Sequence, residues 1–215
     1  MPDLSFEVRG AAAVPYCATP TLALTLHVTE GAGDPVEAIT LDCQVRIDAQ
    51  RRRYTAAEKE RLVELFGEPS RWAQTLRSLL WTHTTASVPP FTAETEVQLE
   101  LPCTADFNQL AGKYFAALEP DGTVPISLLF AGSVFYRDEG GYLQVTRIPW
   151  SAEATHQLRV AAWRDLLQIY YPNTAYVTLR QDVFDELYAY RTARGIPTWE
   201  GALEGLLAAA RETTR

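Results

Sequence analysis

Thiols, imidazoles and ammonium groups are all scarce in this chain of 215 residues, which has three cysteines, three histidines and two lysines. Cys17, Cys43 and Cys103 are odd in number and widely spaced. That excludes a disulfide framework and a four-thiolate iron–sulfur cluster held by this chain alone. A reducing cytoplasm is the simplest setting for such a chain. His27, His83 and His156 belong to no His-rich or Cys-rich tract, so no resident metal and no nickel-carrier function is expected. The chain has no glycine-rich phosphate loop, no GxGxxG opening a helix, no GxSxG elbow and no HExxH pair. No cofactor follows from any motif. Apolar runs fall far short of the roughly 20 residues that a membrane-spanning helix needs. The first ten residues, MPDLSFEVRG, lack the basic and apolar regions of a secretory leader. A cytoplasmic protein without membrane insertion is the expectation.

Apolar surface, by contrast, is plentiful. Hydrophobic residues make up 47% and aromatic residues 11% of the chain, enough for a sizeable core without covalent staples. The formal net charge is −8. A nucleic-acid surface needs clustered cations to neutralise phosphates, so nucleic acid is not an expected partner.

Period-two alternation marks the strands. Leu22, Leu24, Leu26 and Val28 share one face, and Ile39, Leu41, Cys43, Val45 and Ile47 share another. Thr40, Asp42, Gln44 and Arg46 lie opposite the second set. The turn segment GAGDP joins the two runs, which read as a hairpin. Thr55 and Glu58 form a capping-box pattern that opens a helix through Leu62, Val63, Leu65 and Phe66. A second helix is expected over 70–80, then a loop or irregular edge over 81–91, where Pro89 and Pro90 exclude regular structure. Val97, Leu99 and Leu101 alternate as a half-exposed strand. Thr104 is placed to cap a helix carrying Phe107, Leu110, Ala111, Tyr114, Phe115 and Leu118. The run 124–136 predicts a central strand, with Gly132 marking a bulge or close packing, and 143–148 predicts its returning partner. Helices are expected over 159–171, 182–194 and 198–210, with a short strand over 175–179. The order predicts an α+β fold, an antiparallel β-sheet or β-sandwich with inserted helices, followed by a mainly helical C-terminal region. We expect a single domain, 1–215, β-rich to about residue 150 and helical from about 151.

Few residues invite a chemical role. Cys43 falls on an apolar strand face and reads as core. Cys103 precedes a helix start, where a thiolate is favoured, and is the candidate reactive thiol; a buried loop cysteine is the alternative. Trp81, His83 and Thr84 lie in a polar, aromatic-flanked segment suited to a ligand pocket or partner surface, or to satisfying its own backbone. Arg51, Arg52 and Arg53 form the only basic run, suited to an acidic partner patch or to a solvated strand end. Trp199, on the last helix, lies on an apolar stripe with Ala202, Leu203, Leu206 and Leu207.

Three stretches carry a family resemblance: CQVRIDAQRRRYTAAEKERLVELFGEPSRWAQTLRSLLWTH, LPCTADFNQLAGKYFAAL with VPISLLFAGSVFY, and IPWSAEATHQLRVAAWRDLLQIYYPNTAYVTLR. Across nearly its whole length the chain resembles an uncharacterised bacterial family, a domain of unknown function, whose genes tend to accompany those of high-affinity, oxygen-tolerant nickel–iron hydrogenases. The resemblance implies no activity and no site residue. It implies association with hydrogenase subunits or maturation factors. The expectation is a non-enzymatic accessory, assembly or scaffolding protein. An enzyme with a non-standard site and a small-ligand-binding module are the alternatives.

Overall fold

A computed structural model of the chain describes residues 2–104, 109–174 and 177–213. The chain divides into two compact units, residues 1–173 and 174–215. In the first unit the strands β1 (Leu4–Val14), β2 (Thr21–Glu30) and β3 (Pro35–Ile47) are followed by three short helices, α1 (Ala56–Arg61), α2 (Val63–Phe66) and α3 (Trp72–Thr75). Then come β4 (Leu79–Val88), β5 (Phe91–Thr92), β6 (Glu94–Pro102), α4 (Gln109–Ala116), β7 (Thr123–Arg137), β8 (Leu143–Arg147), β9 (Glu153–Arg159) and α5 (Val160–Tyr170).

The described strands form two antiparallel sheets. One has the order β1-β2-β6; the other runs β4-β3-β7-β8, with β5 beside β3 and β9 beside β7. The expected alternation explains their packing. Leu22, Leu24, Leu26 and Val28 of β2, Leu99 and Leu101 of β6, Ile39 to Ile47 at every second position of β3, and Val124 to Leu128 at every second position of β7 are all buried in one continuous core. Each such side chain taken out of water contributes roughly 1.5–3 kcal/mol. Phe6 of β1 stacks on Phe130 of β7, ring centroids 4.4 Å apart, and so joins the two sheets. These are the antiparallel sheets and inserted helices of the expected α+β class.

The helices gather where β3, β6 and β9 end and β4 and β7 begin. Their apolar faces build an aromatic cluster there. Phe115 of α4 stacks on Trp163 of α5 at 4.9 Å, and Trp81 of β4 packs on both. Tyr54, Phe66 and Trp72 meet edge to face nearby. The capping box is formed: Thr55 accepts from the Glu58 amide, and the Glu58 carboxylate accepts from the Thr55 amide.

Gly132 marks a close approach. Its φ is +137°, and a Cβ there would run into the Thr40 carbonyl oxygen of β3. Only glycine lets β7 lie this near to β3.

Several expectations are corrected. β2 and β3 are not a hairpin: β2 pairs with β1 and β6, and β3 with β4, β5 and β7. The GAGDP turn carries the chain from one sheet to the other, because two strands with apolar faces can cover the same core from opposite sides. The helix expected over 70–80 is one turn of 3-10 helix and the four-residue α3. The segment 81–91 is no loop: β4 pairs along β3 as a sheet edge, and Pro89-Pro90 ends it. Pro and hydroxyl residues suit such an edge, where only one side of the strand needs hydrogen bonds. β9, which was not anticipated, and α5 both belong to the first unit. Of the strand expected at 175–179, Ala175 and Tyr176 lie outside the described residues, and Val177 to Leu179 form no strand. Ala105 to Asn108, including Phe107 and the expected helix start after Thr104, also lie outside them.

In the second unit α6 (Gln181–Ala193) and α7 (Trp199–Thr213) are joined by a turn with Gly195 at φ +62°. Trp199 packs on Phe184 and Tyr188 at 5.3 and 6.2 Å, under the Arg191 guanidinium. No described helix is long and apolar enough to cross a membrane.

Candidate functional site

Alternation on β3 and β4 sends one set of side chains into the core and the other to the outer face of the larger sheet. The register aligns the outward set in rows. Thr85, Asp42 and Ala131 are cross-strand neighbours on β4, β3 and β7; His83, Gln44 and Leu129 form the next row. These rows line an open groove of about 770 Å³, bounded by Glu100 and Pro102 of β6.

Its polar groups are connected. The Arg46 Nε–H donates to Gln44 Oε1 at 2.8 Å, and Gln44 Nε2 lies 2.9 Å from His83 Nε2. The Gln44 amide nitrogen has only hydrogens to offer, so His83 Nε2 accepts and the proton of the neutral ring sits on Nδ1. Arginine thus orients glutamine, and glutamine orients histidine, all from rigid strands. Asp42 and Thr85 stand exposed beside this relay.

The sequence candidates scatter over different surroundings. His83 faces the groove. Thr84 also lines the groove, at its β6 side, where its hydroxyl donates to the Glu100 carbonyl at 2.7 Å and ties the edges of the two sheets together. Trp81 is 8% exposed and packs in the aromatic cluster, so it is no surface residue. Burial pushes the Cys103 thiol up to about 12, and it donates to the Leu101 carbonyl at 3.2 Å. Cys43 is likewise pushed to about 12 by burial. Neither thiol is a thiolate at neutral pH.

The arginine run splits. Arg51 is exposed and faces Asp48 at 3.6 Å, and Arg53 is exposed. Arg52 turns inward, its side chain 10% exposed, and grips Glu58 with two bonds of 2.9 and 2.7 Å. Its Nε donates to the Thr123 carbonyl at 2.7 Å. Glu58 also accepts from the Thr55 and Glu119 amides, both at 3.0 Å. Burial pushes the Glu58 carboxyl up, but the Arg52 hydrogen bonds, the two amides and the Arg52 charge outweigh it and hold it at about 2. This cluster fastens the α1 insertion to the start of β7. It cannot meet a partner.

On the outer face of the smaller sheet, His27 lies between Glu94 at 3.4 Å and Glu96 at 3.9 Å, with Arg9 on Glu96. Among the described residues no group of three or more His, Cys, Asp and Glu side chains is placed to hold a metal ion.

Gln44 and Arg46 were legible as neighbours on the polar face of β3. Their link to His83 was not, because it depends on the pairing of β4.

The chain belongs to DUF6084, a family of unknown function, whose model matches residues 1–215. No curated protein matches it in sequence. Among solved structures it is similar to the CARDB domain of the PF1109 protein from Pyrococcus furiosus, crystallised with di-metal ions. The identity is 14% over 74% of this chain and 92% of that one, with a TM-score of 0.28. It is also similar to the putative ApaA protein of Bordetella pertussis, at 15% identity over 74% of this chain and 94% of that one, TM-score 0.25. The sporulation control protein Spo0M of Bacillus subtilis is 13% identical over 74% of this chain and 48% of its own, TM-score 0.24.

Proposed function

Proceeding from membership in a family without an assigned activity, we propose that the protein is a non-enzymatic accessory protein that holds a protein partner in the groove over β4, β3 and β7. The observation that carries this reading is the Arg46–Gln44–His83 relay. It presents polar groups in fixed positions beside the apolar floor of Leu129 and Ala131, in a groove open enough for a protein segment. A general base needs a nitrogen lone pair directed at substrate. In His83 that lone pair is taken by Gln44, and the two buried thiols are held far above neutrality, which supports binding over catalysis. The partner class we propose is the assembly machinery or subunits of a nickel–iron hydrogenase in the cytoplasm, following the resemblance of the sequence.

A second reading, a small-ligand-binding module, is favoured by the groove volume of about 770 Å³. That lies within the roughly 300–1,000 Å³ of ligand sites. Affinity purification from cells making the hydrogenase separates the two. The expected result is recovery of a hydrogenase subunit or maturation factor with the intact protein, and its loss with a His83→Ala, Gln44→Ala variant. Recovery of no hydrogenase protein, with hydrogen uptake intact in a deletion strain, contradicts the first reading.

A further inference from the structure

Two charges of the groove have nothing to balance them. Asp42 on its floor and Glu100 on its β6 wall are both exposed. Elsewhere on the sheets carboxylates are matched, Glu7 and Glu96 by Arg9 and Glu37 by Arg137. Among the described residues no cation lies within ion-pair reach of Asp42 or Glu100, and neither carboxylate takes a hydrogen bond. The lining residues include no Arg and no Lys. Glu153 of β9, the cross-strand neighbour of Leu129, adds a further exposed acid to the same face. Arg46 lies four residues along β3 from Asp42 and is engaged with Gln44. Arg147 is two strands away, at the end of the neighbouring row through Thr40 and Ser133. The groove is therefore negative at its Asp42 end and positive at its Arg46 end.

We propose that the protein segment held in this groove carries a basic residue, arginine by preference, whose charged head is taken by Asp42 and Glu100. This names the chemistry of the partner and rests on the binding reading given above. Three observations favour it. First, both Asp42 oxygens are open, and Thr85, directly across on β4, adds a hydroxyl acceptor. A guanidinium forks onto such a carboxylate with two parallel bonds, which the ammonium of lysine cannot do. Second, the neighbour of Asp42 on its other side is Ala131, followed in the next row by Leu129. This apolar strip suits the aliphatic stem of a long basic side chain. Third, Arg46 repels a second cation at the far end, so the segment has one favoured register, with its basic residue at Asp42 and a hydrogen-bond acceptor toward Arg46. An acidic segment meets like charge at Asp42 and Glu100 and is rejected.

Selection of displayed random linear peptides on the intact wild-type protein tests this, keeping only those that fail to bind the His83→Ala, Gln44→Ala variant. The peptides kept are expected to share an Arg or Lys at one position. A double-mutant cycle, read by fluorescence anisotropy of one such peptide, then locates the contact. Replacing the basic residue of the peptide with glutamine, or the protein with its Asp42→Asn, Glu100→Gln variant, should each weaken binding by about tenfold. The two changes together should weaken it little further, because they remove the same pairing. Both carboxylates are exposed, and unchanged circular dichroism confirms that the variant folds. Groove-dependent peptides without a shared basic residue, or losses that simply add, overturn this inference and leave the groove a binding site. If no peptide depends on His83 and Gln44, the inference and the binding reading beneath it fall together.

Discussion

Two arginine-centred networks lie on or beside β3, and burial separates their roles. In one, Arg52 and Glu58 are 10% and 1% exposed, and every strong acceptor position of the carboxylate is filled. In the other, Arg46, Gln44 and His83 are linked just as directly but stand on an open sheet face. A buried network has given up its water, so losing one member leaves the rest unpaired in a medium that cannot compensate. An exposed network costs little to break and keeps groups to offer. The same residue type serves stability in the first and, in the function we propose, recognition in the second.

The comparison breaks most visibly at Glu58. Glu58→Ala leaves Arg52 buried without its partner and orphans the Thr55 and Glu119 amides. Urea unfolding should show a loss of about 3–5 kcal/mol. A loss below about 1 kcal/mol would mean that the cluster is solvated rather than buried.

Acid acts on the same carboxylate. Its folded value of about 2 lies below the ordinary 4.5, so its contribution is present above pH 4.5 and lost as the pH falls toward 2. The shift corresponds to about 3 kcal/mol. Unfolding curves across that window should lose this component in the wild type and lack it in Glu58→Gln. An equal acid response in both would assign acid sensitivity to other carboxylates.

A smaller effect belongs to the cap. Thr55→Ala removes the hydroxyl that accepts from the Glu58 amide and should cost about 1 kcal/mol in the same assay.

What was legible in the sequence follows the same division between buried and exposed. Leu22 to Val28 and Ile39 to Ile47 announce their strands because one face is wholly apolar. β4 hides because His83, Thr84 and Thr85 carry no apolar contrast and two prolines follow. With β4 hidden, the groove could not be assembled, although Asp42, Gln44 and Arg46 were placed on one face. Sheet membership was also illegible: the turn after β2 looks like a hairpin turn, and only packing shows that it changes sheets. Arg52 was read with its neighbours as a basic run. The capping box named Glu58 as a carboxylate six residues away, but only the fold brings the two together and removes them from water.

The most direct test pairs stability with capture in the His83→Ala, Gln44→Ala variant. The account predicts a urea midpoint changed by no more than about 0.5 kcal/mol equivalent, since both residues lie on an exposed face, together with loss of the partner recovered by the wild-type protein. Capture that survives the double substitution, or a midpoint that falls as far as it does in Glu58→Ala, would contradict it.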